Sequence, residues 1–349
     1  MEIQIPTLLR MKPNALDKLG KYLHKAEFET IALFYGQGME ELLGERINAS
    51  LCGSAISVVH QEIIGNNELE QVFKSTFQLP RKTKALVAVG GGMVIDYAKY
   101  IAFLAKIPVI SIPTSISNDG FASPQASLYY EGKRKSLKAK MPYGVILDTA
   151  VIKESPLRFS YSGIGDLISK YSAVFDWKLA YHEAGEPVND FAVMISLQSV
   201  ENLVNYPNKS LHDLEFIRLL CGALVMSGVA MEVSGSSRPA SGSEHLISHA
   251  YDKVSSKPTL HGIQVGVATL AVTWLQNHPK RPLLLELLEI TGFNQFMKTN
   301  RLNKKEFIEA IEIAPSVKED YHTILSAPKN RKKLVDELES NSFWNSYLE

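Results

Sequence analysis

Over the first 150 residues, short apolar runs alternate with segments in which apolar residues recur at helical spacing. Apolar runs that are rich in β-branched residues and bounded by turn residues are typical of strands. The predicted strands are 31–35, 56–59, 86–89, 109–112 and 145–147. Because strands that alternate with helices form parallel sheets, we expect an α/β domain whose sheet is wrapped by helices.

From about residue 156 the pattern changes, and apolar residues recur at helical spacing almost throughout. The first set is Ile164, Leu167, Ile168, Tyr171, Val174 and Phe175, and further helices are predicted over 189–204, 211–231, 243–253 and 260–277. Pro156 follows the last predicted strand and turns the chain in a new direction. We therefore predict an N-terminal α/β domain over 1–155 and an all-helical C-terminal domain over 156–349, with ligands in the crevice between them.

Composition narrows the class of ligand. Lysine plus arginine and aspartate plus glutamate number 37 each, so the formal net charge is zero. A protein without a net field is not drawn to nucleic acid or to anionic lipid. We expect a small-molecule ligand that is recognised by a local site.

The two cysteines and the length of the most apolar segment indicate where in the cell the protein is expected. Cys52 and Cys221 lie far apart and outside a CxxC spacing, so we expect reduced structural thiols in the cytoplasm rather than disulfides or a thiolate metal site. The N-terminus lacks a basic segment followed by a long apolar stretch, and the most apolar region, 219–231, is too short to span a bilayer. Secretion and membrane residence are therefore not expected.

A glycine cluster follows the third predicted strand, where 86–89 runs into Gly90, Gly91 and Gly92 and a helical pattern follows. Glycines let backbone amides approach an anion, and a helix start adds unsatisfied N–H groups and a favourable dipole. A plain flexible turn would have the same sequence. The pattern is not GxGxxG, and 36–38, a second glycine-containing turn, carries no acidic residue to exclude a 2′-phosphate. NAD and NADP both remain open.

The fourth predicted strand leads into a polar loop, 113–120, which contains three hydroxyl residues, an amide and Asp119. Such a loop lies where a cofactor and a substrate would meet, although ordinary turn chemistry gives the same composition.

A locally basic stretch follows at 133–140. Within it, Lys138 and Lys140 share one face if the segment is extended. A solvated hairpin and an anion clamp are both consistent with this pattern.

The predicted helical domain contains residues with the chemistry of metal ligands. Asp166 is placed at the beginning of an amphipathic helix, where an aspartate alone is usually a cap. The stretch 241–244 has the spacing of a capping box and would start a helix with His245 and His249 on one face. His261 opens the next apolar helix. Asp166 and the histidines together indicate a site.

Asp166, His245 and His261 form the predicted ligand set. Three nitrogen and oxygen donors with an open fourth position are what catalytic zinc needs, because the open position receives the substrate. His245 and His249 have the spacing of a metalloprotease helix, but no glutamate follows the first histidine, which disfavours peptidase chemistry. We expect His249 to lie behind the ligands or to contact the substrate.

Several stretches together match one known family. They are Gly90-Gly91-Gly92 with Asp96, Pro113-Thr114-Ser115, the run NDGFASP at 118–124, Lys138-Ala139-Lys140, Gly165-Asp166-Leu167-Ile168-Ser169, Asp176-Trp177-Lys178, Ser243-Glu244-His245 and His261-Gly262. With these motifs the chain resembles the glycerol-1-phosphate dehydrogenases, within the superfamily of iron-containing alcohol dehydrogenases, glycerol dehydrogenase and dehydroquinate synthase. The resemblance covers most of the chain and is densest over 86–182 and 240–266.

The resemblance implies a nucleotide-binding α/β domain, a helical metal domain and the reversible reduction of dihydroxyacetone phosphate to sn-glycerol 1-phosphate by NAD or NADP. It implies Asp166, His245 and His261 as ligands of a divalent metal, usually zinc, with nickel or iron in some relatives. It places Gly90, Gly91, Gly92, Asp96, Thr114, Ser117 and Ser123 against the cofactor, with Asp119 and Ser123 bordering cofactor and substrate. It also suggests a homo-oligomer.

We expect hydride transfer from the nicotinamide to a substrate carbonyl, with Asp119 and His249 as the catalytic side chains. His249 is assigned to a proton relay, and Lys138 or Lys140 would neutralise the substrate phosphate. Lys170 stands where this family commonly has asparagine, and it would either shift substrate preference or help to bind a phosphate. Asn118 replaces a histidine that often precedes the Asp-Gly pair.

Three other functions remain open on sequence. A glycerol dehydrogenase would oxidise an unphosphorylated polyol with the same metal and cofactor. A cyclase like dehydroquinate synthase would use NAD transiently and eliminate phosphate. A nucleotide-binding sensor without turnover is disfavoured, because Asp166, His245 and His261 are all present.

Overall fold

The computed structural model describes residues 3–349. The chain forms two compact units, the first ending at Ser155 and the second running Pro156–Glu349. The first unit contains a six-stranded parallel sheet with helices, and the second is helical. This architecture confirms the predicted fold class.

The strands of the first unit are β1 Leu8–Lys12, β2 Thr30–Gly36, β3 Ser57–Ile64, β4 Ala85–Gly90, β5 Val109–Pro113, β6 Gln125–Tyr130, β7 Lys133–Lys138 and β8 Gly144–Asp148. Its α-helices are α1 Leu19–Lys25, α2 Met39–Cys52, α3 Leu69–Gln78, α4 Gly92–Ala105 and α5 Thr149–Glu154.

The large sheet has the order β1-β8-β5-β4-β2-β3, and each neighbouring pair is parallel. The five predicted strands correspond to β2, β3, β4, β5 and β8. Strand β3 continues to Ile64 through three polar residues, 60–62, because an edge strand is open to water on one side. Strand β1 was not predicted, since its sequence LLRMK lacks the β-branched composition of the central strands.

The β6–β7 hairpin was also not predicted. It forms a separate antiparallel sheet whose second strand is almost wholly exposed, so no apolar alternation marks it in the sequence.

The central strands β2, β4 and β5 bring three turns to one edge of the large sheet. Gly90 pairs in register with Pro113, and the Cα of Gly90 lies within contact distance of a Cβ placed on Gly36, at 3.8 Å. Because parallel strands end at the same edge, the glycine cluster and the polar loop 113–120 start side by side.

The helices of the second unit are α6 Leu157–Ala184, α7 Asp190–Val204, α8 Leu214–Ser234, α9 Ser243–Val254, α10 His261–Leu275, α11 Arg281–Ile290, α12 Phe293–Thr299, α13 Lys304–Ile313 and α14 Pro328–Ser340. Helix α8 is 21 residues long and apolar enough to cross a membrane by length and composition, so the expectation that this stretch is too short was wrong. Its apolar window is 61% buried inside the protein, as in the core helix of a folded domain.

Helices α6 and α10 approach so closely that their backbones touch. A Cβ on Gly165 would collide with the carbonyl oxygen of Gly262, and a Cβ on Gly262 would collide with that of Ser162. The amide of Gly262 also donates to Ser162 Oγ, at 3.1 Å. Only glycine permits this approach, which sets the distance between Asp166, the residue after Gly165, and His261, the residue before Gly262.

The prediction that Asp166 begins a helix was wrong. Helix α6 starts at Leu157, and Asp166 lies in its third turn with 1% of its surface exposed. The segment that precedes it is rich in serine and glycine, which disfavour helix in isolation. Tertiary packing against α10 outweighs that preference, because small side chains are what the close approach requires.

We predict that Gly165→Ala lowers the free energy of unfolding by at least about 2 kcal/mol, because the new methyl group forces α6 and α10 apart. Chemical denaturation measures this change. Gly44→Ala is the matched control, since Gly44 is also helical but its nearest neighbour is the flexible Glu40 side chain at 3.4 Å. The control should be neutral or stabilise by up to about 1 kcal/mol. Equal effects of the two changes would contradict the role of the α6–α10 approach.

Candidate metal centre and cofactor turn

The second unit brings Asp166, His245 and His261 into one cluster. One potential ligand atom of each residue lies within 4.8 Å of those of the other two. Asp166 comes from the middle of α6, His245 from the first turn of α9, and His261 from the first residue of α10. Asp166 and His245 are buried and His261 is half-buried. Two imidazoles and a carboxylate at this spacing have the donor chemistry of a zinc site.

The electrostatics of the cluster favour a charged Asp166 carboxylate. Burial raises the pKa of Asp166, but the Lys170 ammonium together with His245 and His261 lowers that pKa below its usual range. Burial also disfavours the His245 imidazolium, yet the hydrogen bonds that its ring donates to Asp166 and Glu244 outweigh this and raise the pKa of His245 to about 9. A divalent cation that binds Nε2 of His245 would therefore release a proton.

Glu244 fixes the orientation of the His245 ring. His245 Nδ1 lies 2.9 Å from Glu244 Oε1, and Nε2 lies 3.4 Å from Asp166 Oδ1. Glu244 is itself held by the Ser172 hydroxyl at 2.7 Å and by the amide of Gly242 at 2.7 Å. A carboxylate can only accept, so Nδ1 of His245 carries a proton and Nε2 faces the cluster.

The predicted capping box at 241–244 was wrong. The cap residue of α9 is Gly242, which makes no side-chain cap bond, and the amide of Ser243 donates instead to Asp176 Oδ2 of α6 at 2.7 Å. Burial and the neighbouring Glu244 carboxylate raise the pKa of Asp176 to about 6. A buried carboxylate from another helix therefore replaces the local serine, while Glu244 accepts from the amide of the cap residue Gly242.

The tautomer of His261 follows from a chain of hydrogen bonds. The Gln264 amide nitrogen donates to Asp252 Oδ1 at 3.0 Å and to the Thr259 carbonyl at 3.2 Å, so its oxygen faces Ser248. The Ser248 hydroxyl donates to that oxygen at 2.7 Å. A hydroxyl has one proton, so Ser248 Oγ accepts from His261 Nδ1 at 3.1 Å. In the neutral His261 ring, the proton is therefore on Nδ1 and the lone pair on Nε2.

His249 lies beside the cluster. Its ring stacks on His261 with centroids 5.3 Å apart and planes inclined by 24°, and its centroid is 6.4 Å from that of His245. It is half-buried on the same face of α9 as His245. This position agrees with a place next to the ligands, and its part in proton transfer stays a prediction.

Lys170 lies against Asp166 one turn further along α6. Its side chain is fully buried, and Nζ donates to the Asp166 carbonyl at 2.9 Å and lies 3.6 Å from Asp166 Oδ2. Lys170 therefore acts as a counter-charge to the carboxylate in this structure. A contact with a substrate phosphate stays a prediction.

In the first unit, Gly90, Gly91 and Gly92 join β4 to α4. Gly90 has a φ of 148°, and a Cβ there would lie 2.7 Å from a methyl group of Val94 and 3.2 Å from the amide nitrogen of Gly36. A Cβ on Gly91 or Gly92 would meet nothing within 4 Å. The turn therefore leaves open space over the N-terminus of a 14-residue helix, which is the arrangement that binds a phosphate.

The polar loop after β5 is attached to this turn. The Thr114 amide donates to the Gly90 carbonyl at 3.1 Å, and Asn118 Oδ1 accepts from the Gly120 amide at 2.9 Å. Ser117 and Asp119 are half-buried, whereas Ser123 is buried. The loop thus holds the predicted cofactor residues beside the glycine turn.

Lys99 is the residue of this region that sequence reasoning missed. Its buried ammonium donates to the carbonyls of Gly120, at 2.6 Å, and Gln125, and it lies 2.8 Å from Asp96 Oδ1. Asp96, predicted to contact the cofactor, therefore pairs with Lys99 here. A lysine three residues after an aspartate in an otherwise apolar helix was the available indication.

Lys138 and Lys140 lie at the base of the hairpin. Lys138 pairs in register with Gln125, and the Ala139 amide donates to the Pro124 carbonyl at 2.8 Å. Both lysines are exposed, and Ala139 between them is buried. The β6–β7 pairing therefore places two exposed lysines beside Pro124 and Gln125, just after the predicted cofactor residue Ser123.

Comparison with known proteins identifies the relatives of this chain. The iron-containing alcohol dehydrogenase family matches residues 10–156. Glycerol-1-phosphate dehydrogenase (NAD(P)+) from Thermococcus sibiricus is 35% identical over 93% of this chain and 92% of that protein. The enzyme of that name from Pyrococcus horikoshii is 40% identical over 74% of each chain.

The chain belongs to the glycerol-1-phosphate dehydrogenase family. The resemblance predicted from its motifs is thereby confirmed.

Solved structures that are similar to this glycerol-1-phosphate dehydrogenase family member confirm its fold. Glycerol dehydrogenase from Schizosaccharomyces pombe has a TM-score of 0.77 at 20% identity, over 97% of this chain and 90% of that one. Sulfoacetaldehyde reductase from Bifidobacterium kashiwanohense, solved in complex with NAD+, has a TM-score of 0.75 at 14% identity, over 98% and 99%.

Within this family member, we predict that Ser248→Ala weakens divalent-metal binding, with Zn²⁺ as the probe, by about 10- to 100-fold, because His261 Nδ1 loses its acceptor. Competition with a chromophoric chelator measures the affinity, and ¹⁵N NMR of the imidazoles shows whether the Nδ1-protonated tautomer of His261 is lost. Ser199→Ala is the control, since the buried Ser199 hydroxyl donates only within its own helix, to the Ser196 carbonyl at 2.6 Å. If both variants bind zinc as tightly as the parent, Ser248 does not orient the ligand.

Proposed function

We propose that this protein is an NAD(P)-dependent sn-glycerol-1-phosphate dehydrogenase that reversibly reduces dihydroxyacetone phosphate. The observation that carries the proposal is the cluster of Asp166, His245 and His261 within 4.8 Å. Relatives that match over most of the chain carry the same enzyme name, with NAD(P)+ as the cofactor. We further propose a homo-oligomer in the cytoplasm, with a small phosphorylated substrate and without nucleic acid or membrane partners.

The cluster fits a divalent metal. When a metal binds, the ligand set would be two neutral imidazoles and one carboxylate, and the Nδ1 atoms of His245 and His261 are both engaged elsewhere. This donor set suits zinc best, and nickel or iron would accept the same atoms. A bound metal would supply a Lewis acid for the substrate carbonyl oxygen.

The side chains around the cluster divide the remaining work. Asp166, His245 and His261 would hold the metal, and His249 would deliver a proton towards the substrate oxygen through its position beside His261. Asp119 would act at the border of cofactor and substrate.

The first unit would bind the dinucleotide. The amides at Gly90, Gly91 and Gly92 and the N-terminus of α4 would bind its pyrophosphate. The residues proposed to line the rest of the cofactor are Asp96, Thr114, Ser117 and Ser123. Lys99 would act indirectly, since its ammonium donates to the carbonyls of Gly120 and of Ser123 itself.

The main test compares substrates and cofactors directly. We expect NADH or NADPH oxidation with dihydroxyacetone phosphate, loss of this activity after chelation and its recovery with zinc, nickel or iron. Glycerol 1-phosphate should be oxidised in preference to glycerol.

Preference for glycerol would support a polyol dehydrogenase. Phosphate release without net change in NADH would support a cyclase, and stoichiometric NAD binding without metal would support a sensor.

We predict that changing Lys138 and Lys140 together to alanine raises the KM for dihydroxyacetone phosphate by roughly tenfold or more, because charge-assisted bonds to the phosphate are lost. Steady-state kinetics measure this change. The matched control is the double change of Lys133 and Lys135 to alanine, two exposed lysines on the same strand. If the KM responds equally to both pairs, or to neither, the assignment of Lys138 and Lys140 to the substrate phosphate fails.

A further inference from the structure

The protein buries an unusual set of charges around the ligand cluster. Asp166, Asp176 and Glu244 are at most 1% exposed, and Lys170 is fully buried. When a metal has displaced the His245 proton, both imidazoles would be neutral, and the three carboxylates would be accompanied by the single positive charge of Lys170. Buried charges are stable only when they are paired and hydrogen-bonded. A divalent cation would make this interior electrically neutral.

Lys170 occupies a defined place in this set. Its ammonium bonds to the Asp166 carbonyl at 2.9 Å, lies 3.4 Å from Ser169 Oγ, and lies 3.6 Å from Asp166 Oδ2. The other carboxylate oxygen, Oδ1, lies 3.4 Å from His245 Nε2. One carboxylate oxygen of Asp166 therefore lies towards the ammonium of Lys170, and the other lies towards His245.

We propose that Lys170 is a built-in competitor of the metal, whose ammonium stabilises the Asp166 carboxylate in the metal-free protein and thereby weakens divalent-cation binding. The inference rests on the proposed metal centre. Two effects act in the same direction. The fixed positive charge repels a nearby divalent cation at low dielectric. It also lowers the free energy of the metal-free state, which makes the free energy of metal binding less favourable.

A purely structural role for Lys170 predicts the opposite sign. If the ammonium served only to hold Asp166 in position, its removal would disorder a ligand and lower the affinity for the metal. The direction of the change in affinity therefore decides between the two roles.

The test measures Zn²⁺ affinity without NAD(P) or substrate, by competition with a chromophoric chelator, for the parent and Lys170→Met. Methionine keeps the length of the side chain and removes its charge. We expect Zn²⁺ to bind at least about tenfold more tightly to the variant. The metal-free variant should also melt at a lower temperature than the metal-free parent. Zn²⁺ should raise the melting temperature of the variant by more than it raises that of the parent.

Lys170→Gln is the second variant, because glutamine is neutral but can still donate to the Asp166 carbonyl. It should change the affinity in the same direction as Lys170→Met. Lys99→Met is the matched control, since Lys99 is also a buried lysine that bonds to backbone carbonyls but belongs to the first unit. Its Zn²⁺ affinity should equal that of the parent.

Equal or weaker Zn²⁺ binding by both Lys170 variants overturns the proposal, as does failure of both to fold with or without Zn²⁺. A variant that folds only with Zn²⁺ supports it, because such a variant has lost stability in the metal-free state alone. Failure of the parent itself to bind Zn²⁺, Ni²⁺ or Fe²⁺ overturns the proposed metal centre, which distinguishes that failure from one confined to Lys170.

Discussion

The contact between the backbones of α6 and α10 sets the distance between two of the three residues of the candidate metal centre. Gly165 and Gly262 lie where a single methyl group on either residue would collide with a carbonyl oxygen of the other helix. Asp166 follows the first glycine and His261 precedes the second. A metal site tolerates errors of only a few tenths of an ångström, so a rigid helix contact suits it better than a loop. The same contact explains why a stretch rich in serine and glycine is helical.

The histidines of the cluster are oriented by groups that do not belong to it. Glu244 accepts a hydrogen bond from Nδ1 of His245, and Ser248 accepts one from Nδ1 of His261. Each of these groups is fixed in turn, Glu244 by Ser172 and Ser248 by Gln264. These bonds fix the orientation of both rings before a cation binds.

Buried lysines appear in both units with related tasks. Lys99 binds the carbonyls of Gly120, Ser123 and Gln125, and Lys170 neutralises a carboxylate of the cluster. In each case, a charge that would be costly alone is satisfied by several oxygens at once. The net charge of the whole chain is zero, but its charges are unevenly distributed. Buried carboxylates outnumber buried lysines around the cluster where a divalent cation is proposed.

The sequence by itself determined five of the six strands of the large sheet, the helical second unit, the glycine turn, the identities of Asp166, His245 and His261 and the family, because these depend on local pattern and on motifs. It did not determine that Asp166 lies in mid-helix, that Asp176 rather than a serine caps α9, or that Lys99 and Lys170 are buried. Those features depend on contacts between residues far apart in the chain, such as Ser243 with Asp176 and Gly165 with Gly262. Only the packing of the helices decides which distant oxygen each buried donor meets, since no local pattern encodes that choice.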